Sequence, residues 1–206
     1  LSVDQTLADG VVAAALPHLA ADQPVLFTWQ GGEPTLLGIE FYVEALRLQR
    51  HYGGGRAIEN SFQTNGTLID EDWARFLADH RFLIGLSLDG PQEIHDRTRR
   101  YRSGAGSHAQ VMAALERLQR HGAAVNVLAC VDRHSARHPQ RVYRFLKAAG
   151  VEFIQFTPVV ERLAGGAYAK AGYTLEGPGD GEDEGDATVD LAPFAVRPRG
   201  WGQFLA

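Results

Sequence analysis

The sequence of 206 residues contains one cysteine, Cys130, and one methionine, Met112. A single cysteine excludes an internal disulfide and any all-cysteine metal site built from this chain alone. The sequence has no run of about eighteen apolar residues, so it predicts no membrane-spanning helix. It also lacks the charged and apolar regions of a signal peptide. We therefore expect a cytoplasmic setting and no membrane partner.

Charge is moderate and slightly acidic, with a net charge of −5 and a pI near 5.9. This balance argues against a nucleic-acid partner, whose phosphates require a basic surface. Hydrophobic residues make up 45% and charged residues 22%, which is typical of a soluble globular domain. The chain opens on "LSVDQTLADG", which reads as a helix already under way and lacks an initiating methionine. We interpret it as a piece of a longer protein.

Apolar segments typical of strands alternate with segments that have helical spacing. The predicted strands span 25–28, 57–63, 82–88, 124–131 and 151–156, and the predicted helices span 38–50, 71–80, 107–121 and 138–149. Asp70 stands where the N-cap of the second helix is expected. Near-continuous apolar strands that alternate with helices indicate parallel βα units. Roughly five such units fit an open α/β sheet or a partial barrel better than a closed eightfold barrel.

The periodicity ends after Arg162, and residues 177–190 are rich in Gly, Asp and Glu. This composition predicts that residues 163–206 form a flexible linker, which would lead to a C-terminal domain outside this chain. The final residues, "WGQFLA", are compatible with the start of another helix.

The unusual loops follow the predicted strands. They read "QGGEPT", "QTNGT", "DGPQEIHDRTRRYRSG" and "TPVVER". Ligands of parallel α/β folds bind at the carboxyl ends of the strands, so this placement favours an enzyme or a ligand-binding domain.

The first of these loops contains Gly31, Gly32, Glu33 and Pro34. Adjacent glycines let a ligand approach the main chain, whose carbonyls could accept hydrogen bonds from an ammonium group near the acid. A tight turn with a capping acid is an equally good interpretation of these four residues alone.

Later loops offer further candidates. Ser87 and one of the arginines beyond it, Arg97, Arg99, Arg100 or Arg102, could bind a carboxylate or a ribose, although a turn followed by solvated arginines is an alternative. Gln63 and Asn65 could hydrogen-bond a peptide, although Asn65 also belongs to an ordinary turn pair. Cys130 is interpreted as a small buried hydrophobe. His134 and His138, which are four residues apart, are interpreted as surface histidines because no third ligand is evident.

Taken together, four segments resemble the radical S-adenosylmethionine (SAM) superfamily: "GGEPTL", "FQTNGTLID", "FLIGLSLDGPQEIHDRTR" and "FIQFTPV". Within it they are most similar to the anaerobic sulfatase-maturating enzymes, which have a C-terminal SPASM extension. The resemblance covers residues 1–162, which would form the radical SAM core. It implies an α/β fold, a partial (β/α)6 TIM-like barrel whose first strand is missing from this chain.

The resemblance also implies roles for individual residues. Gln30, Gly31, Gly32 and Glu33 would form the loop that holds the amino group of SAM. Ser87 and Arg99 match the positions that bind the carboxylate and ribose, and Val160 would lie against the adenine. Gln63 and Asn65 would face the peptide substrate.

The implied cofactors are SAM and a [4Fe-4S] cluster, which together generate a 5′-deoxyadenosyl radical. This radical would abstract a Cβ hydrogen from Cys or Ser of a sulfatase polypeptide, and oxidation would yield Cα-formylglycine; a reducing electron donor is needed. The family holds its cluster with CxxxCxxC, a motif that this sequence lacks. We therefore predict cluster ligands upstream of the chain and no activity of the chain by itself.

Two other functions remain open at the level of sequence. The chain could belong to a different SPASM-type maturase that crosslinks or epimerises a peptide. It could also be a peptide- or nucleoside-binding module without a cluster. A purely structural domain would leave the four loop motifs as coincidence.

Overall fold

A computed structural model describes residues 24–163, 174–176 and 191–206. The helix predicted at the start of the chain lies outside these residues. The chain divides into two compact units. Of the described residues, unit 1 comprises 24–87 and 107–127, and unit 2 comprises 88–106, 128–163, 174–176 and 191–206.

The main sheet has five strands in the order β1-β2-β3-β4-β5. They are β1 (Val25–Trp29), β2 (Ile58–Thr64), β3 (Leu83–Ser87), β4 (Ala124–Val131) and β5 (Phe153–Pro158). β1 pairs with β2, and β2 with β3, in parallel. Sequential neighbours that run parallel need a crossover between them, which here contains a helix each time. The predicted α/β class with parallel strands is confirmed.

The helices follow the strands. Within the described residues they are α1 (Ile39–Tyr52), α2 (Glu71–Asp79), α3 (Gln92–Thr98), α4 (His108–Arg120), α5 (Pro139–Ala148) and α6 (Pro198–Leu205). The Asp70 carboxylate caps α2 as predicted, because its Oδ1 accepts from the Trp73 amide at 2.9 Å. Among the described residues, no helix is long and apolar enough to cross a membrane.

Helix α3 was not predicted, because the sequence indicated a loop there. Its seven residues are too short for an apolar period, and only Ile94 and His95 are buried. The segment forms a helix because Pro91, in extended conformation, precedes it and its carbonyl accepts from the amides of Ile94 and His95.

The helix-facing side of the sheet in unit 1 is an aromatic core. Strand register places Trp29 beside Phe62, and Phe62 beside Ile84. Tyr42 from α1 is fully buried and meets Phe62 and Trp73 at ring-centroid distances of 5.2 and 5.7 Å. Aromatic edges against faces at these distances stabilise a core beyond the burial of their area.

One polar cluster lies within this core. Asn60 is 7% exposed and Gln49 is 3% exposed. Their amides bond reciprocally, with Gln49 Nε2 donating to Asn60 Oδ1 at 2.8 Å and Asn60 Nδ2 donating to Gln49 Oε1 at 2.9 Å. The Trp29 indole also donates to Asn60 Oδ1 at 2.9 Å. Asn60 therefore ties β1, β2 and α1 together.

The opposite side of these strands is open and largely polar. Thr28, Ser61 and Gln63 alternate with the core residues of β1 and β2, and the Ser61 hydroxyl donates to Thr28 Oγ1 at 3.1 Å. Leu26 and Leu83 on the same side are 59% and 50% exposed. This side leads to the loops that the sequence indicates as functional.

Residues 191–206 belong to the body of unit 2, which differs from the linker predicted for 163–206. The amide of Val196 donates to Val159 O at 2.9 Å, and the amide of Arg133 donates to Phe194 O at 2.8 Å. Helix α6 then places Phe204 against Phe156 at a centroid distance of 4.9 Å. The packed residues of 191–196 are mostly small, so the sequence shows no apolar period that would predict their packing.

The described part of 163–190 is a short pairing. β6 (Arg162–Leu163) runs antiparallel to β7 (Leu175–Glu176), and Arg162 also bridges to Leu191. The rest of the predicted linker, including the Gly/Asp/Glu-rich 177–190, lies outside the described residues.

Replacing Asn60 with leucine tests the buried amide cluster. Asn60→Leu removes the partner of Gln49 and of the Trp29 indole but keeps a side chain that branches at Cγ, so we expect a loss of roughly 2–4 kcal/mol in the free energy of unfolding. Urea denaturation followed by tryptophan fluorescence measures it. Glu59→Ala, at the exposed neighbouring position of β2, is the matched control and should change stability by less than about 0.5 kcal/mol. Equal effects at both positions would contradict the role of the cluster.

Candidate active site

The loop after β1 presents its main chain to solvent. Gly31 and Gly32 have φ values of +93° and +55°, in the region that favours glycine. Both are exposed, as is Gln30 beside them. A Cβ added at either glycine would have no atom within 4 Å. The chain itself therefore leaves space for a group to approach the backbone here.

Glu33 holds this loop to the end of β2. Its Oε1 accepts from the Thr35 and Thr64 hydroxyls, each at 2.7 Å, and from the Thr35 amide at 3.2 Å. Its Oε2 accepts from the Asn65 amide at 2.8 Å. The sequence suggested a negative field for a ligand at this position. The structure uses the carboxylate to join two loops and to cap the 3-10 turn Pro34–Leu37.

Tyr42 supports the loop from below. Its hydroxyl donates to the carbonyl of Pro34 at 2.9 Å. Burial, followed by the charge of Glu33, raises the pKa of Tyr42, so the phenol stays neutral and can donate. The sequence offered no signal for this contact, because Tyr42 reads as an ordinary apolar position of α1.

The second loop of unit 1 contains the two residues predicted to face a peptide. Gln63 is exposed on the open side of β2. Asn65 is half-buried, and its Oδ1 accepts from the Thr67 amide at 2.9 Å and the Thr67 hydroxyl at 2.7 Å. The Asn65 side chain thus makes a local Asx turn, which is the alternative that the sequence left open. Glu33 brings Asn65 to the double-glycine loop through its amide.

Ser87 ends β3 and is half-buried, one residue before the chain enters unit 2. In unit 2, Val160 follows β5 and is 39% exposed. Its neighbour Val159 donates its amide to Val131 O at 2.9 Å and lines the cavity described below.

Unit 2 contains a buried ion pair at the end of β3. Arg99 Nε donates to Asp89 Oδ2 at 2.6 Å, and Arg99 Nη2 donates to Asp89 Oδ1 at 3.1 Å. The Asp89 side chain is 5% exposed and that of Arg99 is 26% exposed. Burial would lower the pKa of Arg99, but the hydrogen bond and charge of Asp89 outweigh it and raise that pKa. The sequence identified Arg99 but interpreted Asp89 as part of a turn.

A cavity of about 270 Å³ adjoins this pair. Its lining residues, all in unit 2, are Asp89, Ile94, Thr98, Arg99, Cys130, Asp132, Ser135, Val159 and Phe194. Two carboxylates, a guanidinium and several apolar side chains suit a ligand that has both an apolar part and a charged group.

Cys130 lies on the wall of this cavity and is half-buried, so it is not the plain core residue that the sequence predicted. Its Sγ lies 3.5 Å from Arg99 Nη2. Burial and then the charge of Asp89 raise the pKa of the Cys130 thiol, whereas Arg99 lowers it; the net direction is upward. The thiol is therefore held in its neutral form at neutral pH.

His134 and His138 face each other with ring centroids 5.2 Å apart. In the described part of the chain, no group of three or more His, Cys, Asp or Glu residues could hold a metal ion. The residues of this chain thus do not provide the three thiolates of a [4Fe-4S] cluster, since only Cys130 is available.

The double-glycine loop and the motifs beside it agree with a family-level comparison. Residues 11–154 match the radical SAM superfamily. The chain therefore belongs to the radical SAM superfamily.

Relatives narrow this class. The chain is 39% identical over 181 residues to the serine-type anaerobic sulfatase-maturating enzyme of Bacteroides thetaiotaomicron. The matched region covers 88% of this chain and 42% of the relative. The chain is 44% identical over 138 residues to the cysteine-type enzyme of Clostridium perfringens, which is 66% of this chain and 37% of the relative. The predicted resemblance to these maturases is confirmed. The chain spans less than half the length of either one.

Solved structures agree on the fold. Native anSMEcpe with bound AdoMet superimposes with a TM-score of 0.80 at 33% identity, covering 97% of this chain and 48% of that one. SuiB of Streptococcus suis bound to S-adenosylmethionine has a TM-score of 0.51 at 14% identity over 74% of this chain, a likeness of fold alone. The radical SAM type of α/β fold is thereby confirmed.

Substitution of Glu33 by glutamine tests the link between the two loops. In Glu33→Gln one carboxylate oxygen becomes an amide nitrogen, which accepts no hydrogen bond. The side chain can then no longer accept from both Thr64 and Asn65, so we expect a stability loss of about 1–3 kcal/mol. The Asn65 amide should also exchange hydrogen faster, which exchange mass spectrometry measures. Glu40→Gln, an exposed acid in the first turn of α1, is the control. Unchanged exchange at Asn65 would show that Glu33 does not hold this loop.

Proposed function

We propose that this chain is the SAM-binding core of a radical SAM maturase that oxidises Cys or Ser of a sulfatase polypeptide to Cα-formylglycine. The observation that supports it best is the exposed double-glycine loop, which Glu33 and Tyr42 hold in place from the inside. The enzyme is an oxidoreductase in this proposal. Its partners are the sulfatase polypeptide and a reducing electron donor.

The double-glycine loop suits the amino group of SAM. Carbonyl groups that point to solvent at a strand end can accept hydrogen bonds from an ammonium group, and glycine leaves room for its approach. Glu33 adds negative charge behind the loop, which favours a cation. Gln30, Gly31 and Gly32 would contact the ligand, and Glu33 would act through the loop that it holds.

The Arg99 guanidinium in unit 2 suits the carboxylate of SAM. A guanidinium such as that of Arg99 binds carboxylates through charge-assisted hydrogen bonds, which are stronger than neutral ones. Ser87, the last residue of unit 1 before Leu88, would bind the ribose, and Val160 of unit 2 would lie against the adenine.

A peptide would be bound by Gln63, whose amide is exposed on the open side of β2. For Asn65 the amide nitrogen of the side chain would be the contact, since its oxygen is engaged with Thr67. Both serine-type and cysteine-type enzymes are among the relatives, so the test below uses peptides of both kinds.

Bound SAM and a [4Fe-4S] cluster would supply the radical chemistry. Three cysteine ligands are needed for this cluster, and this chain has one cysteine. We therefore propose that the 206 residues do not react by themselves and that the cluster is held by residues outside them.

The test uses the full-length protein, purified anaerobically and reconstituted with iron and sulfide. It is incubated with SAM, a reductant and sulfatase peptides that contain either Cys or Ser at the target position. We expect 5′-deoxyadenosine and a formylglycine peptide by mass spectrometry. A crosslinked or epimerised peptide would favour another maturase, and no SAM cleavage would favour a module that only binds.

A glycine substitution tests the approach of SAM to the loop. Gly32→Ala adds a methyl group that meets no protein atom, so its only cost to the fold is the positive φ, about 1 kcal/mol. We expect SAM affinity in the full-length protein to fall at least tenfold, measured by equilibrium dialysis.

Gly122→Ala is the matched control in the same unit. Gly122 has a φ of +68°, is exposed, and also has no atom within 4 Å of an added Cβ. It should cost similar stability and leave SAM affinity unchanged. Equal SAM affinities of both variants and the wild type would remove the loop from the site.

A further inference from the structure

We propose that Asp89 is a positioning residue of the proposed SAM site. It holds the Arg99 guanidinium in the orientation that receives the carboxylate of SAM. This inference rests on the proposed function, and it assigns a role to a residue that the sequence presents only as part of an "LDGP" turn.

The first reason is the difference in exposure between the two side chains of the ion pair. The Asp89 side chain is 5% exposed, whereas that of Arg99 is 26% exposed. The carboxylate is therefore the inner member and the guanidinium the outer one, at the wall of the 270 Å³ cavity. A partly exposed guanidinium at a cavity wall can meet a ligand, which a fully enclosed one could not.

The second reason is the geometry of the guanidinium. Asp89 accepts from Nε and Nη2, so one edge of the planar group faces the carboxylate and its plane is fixed. Arginine has a long side chain with many rotamers. Because Asp89 orders this side chain before the ligand arrives, less conformational entropy is lost when the ligand binds. The Cys130 amide fixes the carboxylate in turn, donating to Asp89 Oδ1 at 2.8 Å.

A competing effect has the opposite sign. Removing the Asp89 charge would leave Arg99 more positive and attract a carboxylate more strongly. Without the two carboxylate oxygens of Asp89, however, the plane of the guanidinium is no longer fixed by two parallel hydrogen bonds. We expect loss of orientation to prevail.

The test compares two ligands of the full-length, reconstituted protein by equilibrium binding. SAM has the amino-acid carboxylate, and 5′-methylthioadenosine shares its nucleoside but lacks that group. Asp89→Asn should weaken SAM binding about tenfold and methylthioadenosine binding by less than twofold, because one ordered arginine is worth about this factor. In an Arg99→Gln background, Asp89→Asn should have no further effect on SAM.

The control is Glu93→Gln, which breaks the exposed Glu93–Arg141 ion pair of the same unit. It should change neither affinity. Should Asp89→Asn not fold, Arg99→Lys keeps the charge without the fork and should lose SAM about tenfold, with methylthioadenosine unchanged.

Equal losses for both ligands, tighter SAM binding, or additive effects of Asp89→Asn and Arg99→Gln would each overturn the role of Asp89 alone. Wild-type affinity of Arg99→Lys for SAM would overturn it as well. Failure of the wild-type protein to bind SAM would overturn the proposed function, and the role of Asp89 with it.

Discussion

The carboxylate of Glu33 is the contact on which the candidate site of unit 1 depends. Four hydrogen bonds reach its two oxygens from Thr35, Thr64 and Asn65. Because these donors come from the 3-10 turn after β1 and from the end of β2, one side chain sets the spacing of two loops. Gly31 and Gly32, which precede Glu33, have positive φ, and their main chain is exposed.

Unit 2 shows the same design with the charges arranged differently. A buried acid, Asp89, lies behind a partly exposed arginine, and the Cys130 amide holds the acid in place. In both units a carboxylate orients neighbouring groups through several hydrogen bonds. Such supporting contacts matter because a binding group that is ordered beforehand loses less entropy when the ligand arrives.

The sequence predicted the five strands of the sheet, and four of the helices lie where its periodicity placed them. Long amphipathic segments such as α4 and apolar runs such as β3 can be recognised in the sequence from the spacing of their apolar residues. Helix α3 and residues 191–196 did not. Their order comes from backbone hydrogen bonds and from small buried side chains, such as Ala192 and Ala195, which leave no apolar period in the sequence.

The sequence by itself determined the α/β class, the superfamily and the loops that hold the candidate residues, because these depend on local periodicity and on short motifs. Only the tertiary structure decided the partners of Glu33, Asp89 and Cys130. Those partners lie about 30 or more positions away along the chain in several cases, such as Glu33 with Thr64 and Arg99 with Cys130. A residue's role in such a contact depends on strand register and burial, and neither is written in its immediate neighbours.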